Sequence, residues 1–458
     1  MKRYGVSKYV TAIAFLVIGL IVGAAIAMSS PGQVVTTTVT KSKVVTVTKT
    51  ITPAAQATTP TTTQKPMGFA GTIYIGTTIS LKGKFAHEGE YALNGFKVAI
   101  KWLNEVHGGI KVGDKVYKVE LKYYDDESSS QRVPELYSKL ITEDKVNFLL
   151  APYSSGLTKA AAPVAEQNKI VMVSHGGASD SIFQQGYKYV VQTLSPATTY
   201  LRSVVDLIAE KDPNAKIALI YENAAFAATV AKGAKDEIQK KGLKLVYEKP
   251  YEKGATEFGS IINEAMAAGA DVLLGGGHFA DGTALVQQAW QLGWKLKGIG
   301  IIVAPALAQF KEQLKEAANG VMYPAQWEIG VKYSPEAAKK LGIEWFGPTN
   351  EEYIQMYKEI SGGGMPDYHA AEATAAILHL ARAIEVAGSL DSDAVRAAFN
   401  KVDMMTFFGR LKIDPATGLQ VGHQMVVVQW QAGEKKIVYP PEAAQASPIY
   451  PAENWYKR

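Results

Sequence analysis

Residues 146–179, VNFLLAPYSSGLTKAAAPVAEQNKIVMVSHGGAS, constrain the fold more than any other stretch. Two short apolar runs, 146–152 and 170–174, each lead into a turn of small residues: Tyr153-Ser154-Ser155-Gly156 and Gly176-Gly177-Ala178-Ser179. An alanine-rich segment, 157–167, lies between them and reads as a helix. Short unbroken apolar runs bounded by turn residues are the pattern of strands buried on both faces, as in the middle of a parallel sheet. In such sheets a ligand sits beyond the carboxyl ends of the strands, where both turns fall. The first turn also opens a helix, whose free N–H groups and dipole favour an anionic group. Serine hydroxyls and backbone N–H groups donate to a carboxylate without needing a charged partner. The two turns therefore predict a cradle for a small carboxylate or carbonyl ligand.

The same alternation runs through most of the chain. Strand 72–80, loop 83–89, helix 94–106, strand 118–124 and helix 133–141 precede the central stretch. Phe96, Ala99, Ile100 and Leu103 are spaced for one buried face of the first helix, and Gly108-Gly109 ends it. After strand 189–194, Ser195-Pro196 marks a crossing into a second lobe. That lobe reads as strands 216–221, 244–248, 272–275 and 298–303, with helices 227–241, 258–268, 283–292 and 308–318. Residues 321–328 are expected to lead back to the first lobe, where helices 351–360, 368–387 and 393–399 pack. Strands 410–413, 425–431 and 436–439 close the fold. Strands alternating with helices in two successive blocks predict an α/β protein of two doubly wound, Rossmann-like lobes.

Composition narrows the function. The 458-residue chain has no cysteine, which excludes disulfides, thiolate metal sites, cysteine nucleophiles and a lipid-modified cysteine anchor. Its formal charge of +5 is carried by the N-terminus: residues 1–66 hold seven Lys/Arg and no acid, leaving about −2 on the remainder. The folded body therefore has no basic excess of the kind that binds nucleic acid. Lys2, Arg3 and Lys8 precede an uncharged run, 10–28, long enough to span a bilayer as a helix. Positive charge on the short flank keeps that flank in the cytoplasm and places the rest of the chain outside. Ala25-Ile26-Ala27 resembles a cleavage site, so two readings stand for residues 1–30: a retained anchor, favoured by the length of the run, or a removed signal peptide. Residues 31–67, rich in Thr, Val, Lys and Pro, bury too little to fold alone and read as a disordered stalk, with or without O-linked sugars.

Enzyme motifs are missing. There is no GxxxxGK[ST] loop, no GxGxxG between a strand and a helix, and no G-x-S-x-G elbow. The seven histidines form no HExxH or other close ligand pair, so neither a metal site nor a cofactor is expected. Asp125-Asp126-Glu127 has the composition of a Ca²⁺ loop, but a solvated turn capping the next helix is the simpler reading.

Several segments together resemble a known family, the type I periplasmic binding proteins, in particular the branched-chain amino acid and amide receptors of ABC transporters. They are residues 76–83 (GTTISLKG), 94–99 (NGFKVA), 104–110 (NEVHGGI), 124–128 (YDDES), the central stretch and 186–190 (GYKYV). The resemblance spans residues 71–439 and implies two lobes joined by a three-strand hinge, closing around a small ligand. On that basis the lobes comprise 68–195 plus 324–403 and 196–323 plus 404–440, followed by a tail, 441–458. It implies that Ser155 and Ser179 hold the ligand's carboxylate, with Ser154 beside the first and Gly177, before Ala178, offering its carbonyl to an amine. Glu88 would line the cleft, and Phe226 and His278 would face it from the second lobe. From their own chemistry, Tyr153, Phe226 and Trp327 either flank an apolar part of the ligand or pack in the core.

One departure bears on the ligand. The family's amino-acid receptors carry an acid after the strand read here as 298–303, whereas this chain has Ala304-Pro305-Ala306. A buried ammonium without a counter-charge is strongly disfavoured. Either Glu88, Glu222, Asp281 or Glu328 replaces that acid, or the ligand is an amide, a carboxylic acid or a small aromatic acid. The implied function is that of an extracytoplasmic solute-binding receptor for an ABC permease, tethered to the membrane, of a type suited to an archaeal surface. A ligand-sensing ectodomain and a secreted α/β hydrolase are the rivals. Against them stand the lack of a second span after Tyr439 and the lack of a nucleophile–base pair.

Overall fold

The computed structural model describes residues 68–457, so the expected anchor and stalk lie outside the described residues. Among the described residues, no single helix is long and apolar enough to cross a membrane. The first block runs β1 (Gly71–Ile79), α1 (Ala86–Lys101), β2 (Ile110–Val112), β3 (Lys115–Asp125), α2 (Val133–Thr142), β4 (Phe148–Leu150), α3 (Ser155–Gln167), β5 (Met172–Ser174), α4 (Asp180–Phe183) and β6 (Val190–Gln192). The second runs α5 (Arg202–Lys211), β7 (Lys216–Glu222), α6 (Ala225–Lys240), β8 (Lys244–Tyr251), α7 (Gly259–Ala267), β9 (Val272–Gly276), α8 (Phe279–Gln291), β10 (Gly298–Ile301), α9 (Ala308–Leu314) and β11 (Val321–Ala325). The chain then returns through α10 (Pro335–Lys340), β12 (Glu344–Trp345), α11 (Asn350–Ser361), α12 (Tyr368–Ala387), α13 (Ser392–Phe399), β13 (Asp403–Thr406) and β14 (Gly409–Lys412). It ends with β15 (Val426–Gln431), β16 (Glu434–Tyr439) and α14 (Glu453–Tyr456).

Two sheets organise these elements. The first has the order β2-β3-β1-β4-β5-β6 and the second β16-β15-β11-β10-β9-β7-β8. Within each, the five core strands are parallel, and β2, β15 and β16 add antiparallel edges. Strand order reverses between β1 and β4 in one lobe and between β7 and β9 in the other. These are the switch points at which the loops leaving neighbouring strands part and leave a crevice. Phe148, Leu149 and Leu150 of β4 and Val272, Leu273 and Leu274 of β9 are fully buried, as expected of strands covered on both faces.

Three segments cross between the lobes, and they are tied to one another. Gln326 accepts from the Ser195 N–H (3.0 Å), Gln420 donates to the Thr193 carbonyl (2.8 Å), and His423 Nδ1 lies 3.0 Å from Ser195 Oγ. This is the expected three-strand hinge.

The structure corrects some expectations. The loop read at 83–89 is largely helix: α1 begins at Ala86, with the Phe85 N–H held by Ser128 Oγ (3.0 Å). Gly89 is not a breaker there. A Cβ on it would stand 1.9 Å from the Ser80 carbonyl oxygen, so glycine lets the helix press against the end of β1. Helix α5 and strands β2, β12 and β13 were not anticipated. Residues 321–325 form a strand of the second sheet, so the return to the first lobe starts at Gln326. The hairpin β13–β14 pairs with β12 in a small third sheet, where Phe407 stacks on Tyr353 at 3.9 Å.

Candidate functional site

The site forms where the two switch points face each other. From the first lobe, the loop after β1 supplies Lys84 and Phe85, the first turn of α1 supplies Glu88, and the loop after β4 supplies Tyr153. From the second lobe, Glu222 ends β7 and His278 caps α8 after β9. Thr78 and Ser80 at the end of β1 donate to the buried Asp126 at 2.7 and 2.6 Å, which fixes the loop that carries Lys84. That contact gives Asp126 of the acidic turn a structural role.

The lobes meet through polar and aromatic contacts. Lys84 pairs with Glu222 and lies 3.8 Å from Asp281. The Tyr153 hydroxyl lies 3.3 Å from His278 Nδ1 and 3.3 Å from His369 Nε2. His369 in turn holds Asp367 at 2.7 Å. The Phe85 ring sits 4.7 Å from that of His278, and Ser179 Oγ lies 2.8 Å from Thr229 Oγ1 across the cleft. Burial, reinforced by Lys84, pushes the His278 imidazole well below its ordinary pKa, so it is neutral.

Between these contacts lies a cavity lined by Tyr153, Gly176, Tyr200, Phe226, His278, Val303, Tyr368 and Glu372. About 10 Å³ of it is open to the centre of a water molecule, the room for about one water. A larger groove beside the hinge, lined by Thr199, Arg202, Asp206 and His423 among others, opens to solvent. The cleft cavity is the better candidate because both lobes build it and because Glu372, a buried carboxyl with an unpartnered oxygen, lines it. Both carboxylate oxygens of Glu88, Oε2 of Glu372 and both ring nitrogens of His175 have no hydrogen-bond partner. Burial pushes Glu88 up to about 7, against the opposing pull of His369. It pushes Glu372 well above the usual carboxylate range, with Asp367 adding to the shift, and brings His175 down to about 3. Val303 holds φ at 60°, a left-handed conformation unusual for a β-branched residue, at the cavity wall.

The residues expected from sequence divide between the cavity wall and its supports. Tyr153, Phe226 and His278 line the cavity. Ser154 occupies the N-cap position of α3 without a side-chain capping bond, and Ser155 Oγ accepts from the Ser179 N–H at 2.9 Å, so the two serine turns are joined. Gly177 and Ala178 are buried beside the cavity wall at Gly176, their carbonyls accepting from Gln192 Nε2 of the same lobe at 3.5 and 3.2 Å. Ala306 sits in a buried 3₁₀ turn with its carbonyl taken by Lys435, and Val303 of the same loop reaches the cavity in its place. Trp327 packs against Tyr353 and Phe407 in the first lobe instead of flanking the cleft. Of the acids considered for an ammonium, Glu222 and Asp281 face Lys84, and Glu328 accepts from Tyr323 (2.7 Å) with Lys435 at 3.4 Å. Sequence reasoning missed Lys84, Tyr200, Tyr368 and Glu372. The last two stand one helical turn apart on α12, a spacing visible in the sequence that no apolar periodicity singled out.

The sequence profile of the periplasmic binding protein family matches residues 72–435. This chain is a type I periplasmic binding protein of the branched-chain amino acid ABC receptor family. Within that family, the Leu/Ile/Val-binding protein homolog 7 of Brucella suis is 25% identical over 392 residues, covering 81% of this chain and 92% of that protein. The leucine-binding protein LivK of Thermotoga maritima superposes with a TM-score of 0.68 at 19% identity, over 81% of this chain and 99% of LivK. The branched-chain amino acid receptor LivJ of Streptococcus pneumoniae, solved with isoleucine, gives 0.68 at 20% identity, over 81% and 100%. A solute-binding protein of R. palustris in complex with 4-hydroxybenzoate gives 0.67 at 19%, over 80% and 95%. At these identities the structural matches establish the shared two-lobed fold. The family's members are solute-binding proteins, not enzymes.

Proposed function

We propose that this chain is the extracytoplasmic receptor of an ABC importer, capturing one small amino acid, amide or carboxylate between its lobes and delivering it to the permease. One observation carries this reading: the switch points of two doubly wound sheets face each other across a cavity lined by the buried, unpartnered carboxyl of Glu372, with the unpartnered Glu88 and His175 in the same lobe. Such groups are unfavourable unless a ligand completes them. The joined turns at Ser155 and Ser179, with Ser154 beside them, are suited to a ligand carboxylate. Glu88 offers an acceptor nearby, and the Gly177 and Ala178 carbonyls, engaged by Gln192 in the ligand-free cleft, would have to exchange that contact for a ligand amine. Phe226 and His278 form the opposing wall, with Ala306 supporting Val303 behind it. Isoleucine and 4-hydroxybenzoate in related receptors mark the range of ligand chemistry to be tested. The apolar run at 10–28 and the Thr-rich segment after it would tether the receptor outside the membrane.

Thermal unfolding of the full-length protein, monitored with amino acids, amides and short or aromatic carboxylic acids, tests the reading. A ligand at one hundred times its Kd adds about 2.7 kcal/mol of stability. Ser155→Ala combined with Ser179→Ala removes that gain. Because Ser155 Oγ also accepts from the Ser179 N–H, the variant loses about 1–3 kcal/mol without ligand as well, so the ligand-induced shift is the readout. A shift equal to that of the unaltered protein would make the turns structural only.

A further inference from the structure

Glu372 is a buried carboxyl that the fold itself does not use. It is 1% exposed, its Oε2 has no partner, and it shares the cavity with the rings of Tyr153, Tyr200, Phe226 and Tyr368. Tyr200 and Phe226 meet edge to face at 5.1 Å, and Tyr153 is pinned between two histidines, so the rings have fixed neighbours. Aromatic faces around a buried carboxyl make an environment that attracts a cation: the rings supply quadrupole attraction and the carboxylate supplies the charge. No lysine or arginine lines the cavity, and Lys84, which reaches across the cleft beside it, is paired with Glu222 and Asp281. An anionic ligand end therefore finds no charge at this wall, whereas the serine turns supply donors on the first lobe. The loop after β10, Ala304-Pro305-Ala306, carries no acid of its own.

We propose that Glu372 is the counter-charge for a cationic amine of the ligand, seated among the rings of Tyr153, Tyr200, Phe226 and Tyr368. The assignment rests on the solute-binding reading and sharpens it: the ligand carries an ammonium, and a first-lobe helix recognises it. Around Glu372 stand the Tyr153, Tyr200 and Tyr368 hydroxyls, all held protonated by burial, with Asp367 at the start of its own helix. His278 from the second lobe is neutral, and Glu88 and His369 lie beyond Tyr153 and Asp367. In the ligand-free cleft the Glu372 carboxyl is protonated. An entering ammonium favours the carboxylate, so the carboxyl proton passes to solvent and an ion pair forms in its place.

Calorimetry on the full-length protein near neutral pH, in buffers of different ionisation enthalpy, tests this. The probes are leucine, isoleucine and tyrosine, then choline and tyramine, then benzoate and 4-hydroxybenzoate. The expected result is that an amine-bearing probe binds with release of close to one proton. Glu372→Gln should weaken it about 10- to 100-fold and abolish the release, with the ligand-free melting temperature unchanged or raised. If that variant does not fold, proton release by the unaltered protein at about pH 8, where Glu88 has already ionised, decides. Binding of the benzoates but of no amine, or equal amine binding by Glu372→Gln, overturns the assignment and leaves the solute-binding reading standing. Silence toward every probe overturns the assignment, and silence that extends to amides and short carboxylic acids removes the solute-binding reading as well.

Discussion

The contact of Lys84 with Glu222 and Asp281 joins the lobes, and its removal has a calculable effect. In Lys84→Met the alkyl stem remains and the charge is lost. Lys84 is 18% exposed, while Glu222 and Asp281 are 1% and 3% exposed. Removing one partner of a fully buried ion pair destabilises by about 3–5 kcal/mol, because the other charge is left unpaired. Discounted for the partly solvated lysine, about 2 kcal/mol remains. That penalty applies only while the lobes are together, since Glu222 is rehydrated once they part. It therefore falls on closure more than on folding, and about 2 kcal/mol moves that equilibrium about 30-fold toward the open form. Small-angle scattering should show a larger radius of gyration for the variant. The penalty shrinks as pH falls, because Glu222, whose pKa burial already raises, takes up a proton instead. Adding Glu222→Gln should recover most of the compactness. Unchanged scattering in Lys84→Met, or an equal loss in the double variant, would refute the reasoning.

Two other perturbations bear on the first lobe. Glu88 has a folded pKa raised from 4.5 to about 7, so the folded form holds its proton where the unfolded form has lost it. Its neutral form is no burden below pH 4.5; stability then falls as pH rises, by about 3 kcal/mol once above pH 7. Glu88→Gln should shrink the loss of stability between about pH 4 and about pH 8 in urea titrations by that amount, the remainder coming from buried acids such as Glu372, and an undiminished loss in the variant would exonerate Glu88. Gly95 faces α12 so closely that a Cβ would stand 2.2 Å from the Ala370 carbonyl oxygen, and Thr374 donates to the Gly95 carbonyl at 2.7 Å. Gly95→Ala should lower stability by about 1–3 kcal/mol and displace the helix that carries Glu372; an unchanged denaturation midpoint would show that the interface yields freely.

The two-lobed architecture was legible because β4, β5 and β9 are short apolar runs set between turn residues and amphipathic helices. Helix α12 was read to the residue: Asp367 caps its first turn, accepting from the Ala370 N–H, and Gly388 ends it at φ 58°. The start of α1 was not legible, because Gly83 and Gly89 look like loop residues and only the packing of Gly89 on Ser80 reveals its role. At the site, the serine turns announced themselves by position after apolar strands. Tyr368 and Glu372 did not, since α12 is buried on almost every side through its first four turns. A helix without a wet face gives no periodicity from which the cleft-facing side can be chosen. Lys84 was hidden for a different reason: its partners come from elements more than a hundred residues away.

The central claim is that one small solute binds between the lobes. Titration calorimetry on full-length protein that has been unfolded, stripped of co-purified molecules and refolded tests it most directly. The account predicts one solute per chain, with an amine and a carboxylate, whose heat disappears in Ser155→Ala with Ser179→Ala. No heat from any amino acid, amide or carboxylic acid, or binding that survives the loss of both serines undiminished, would contradict it.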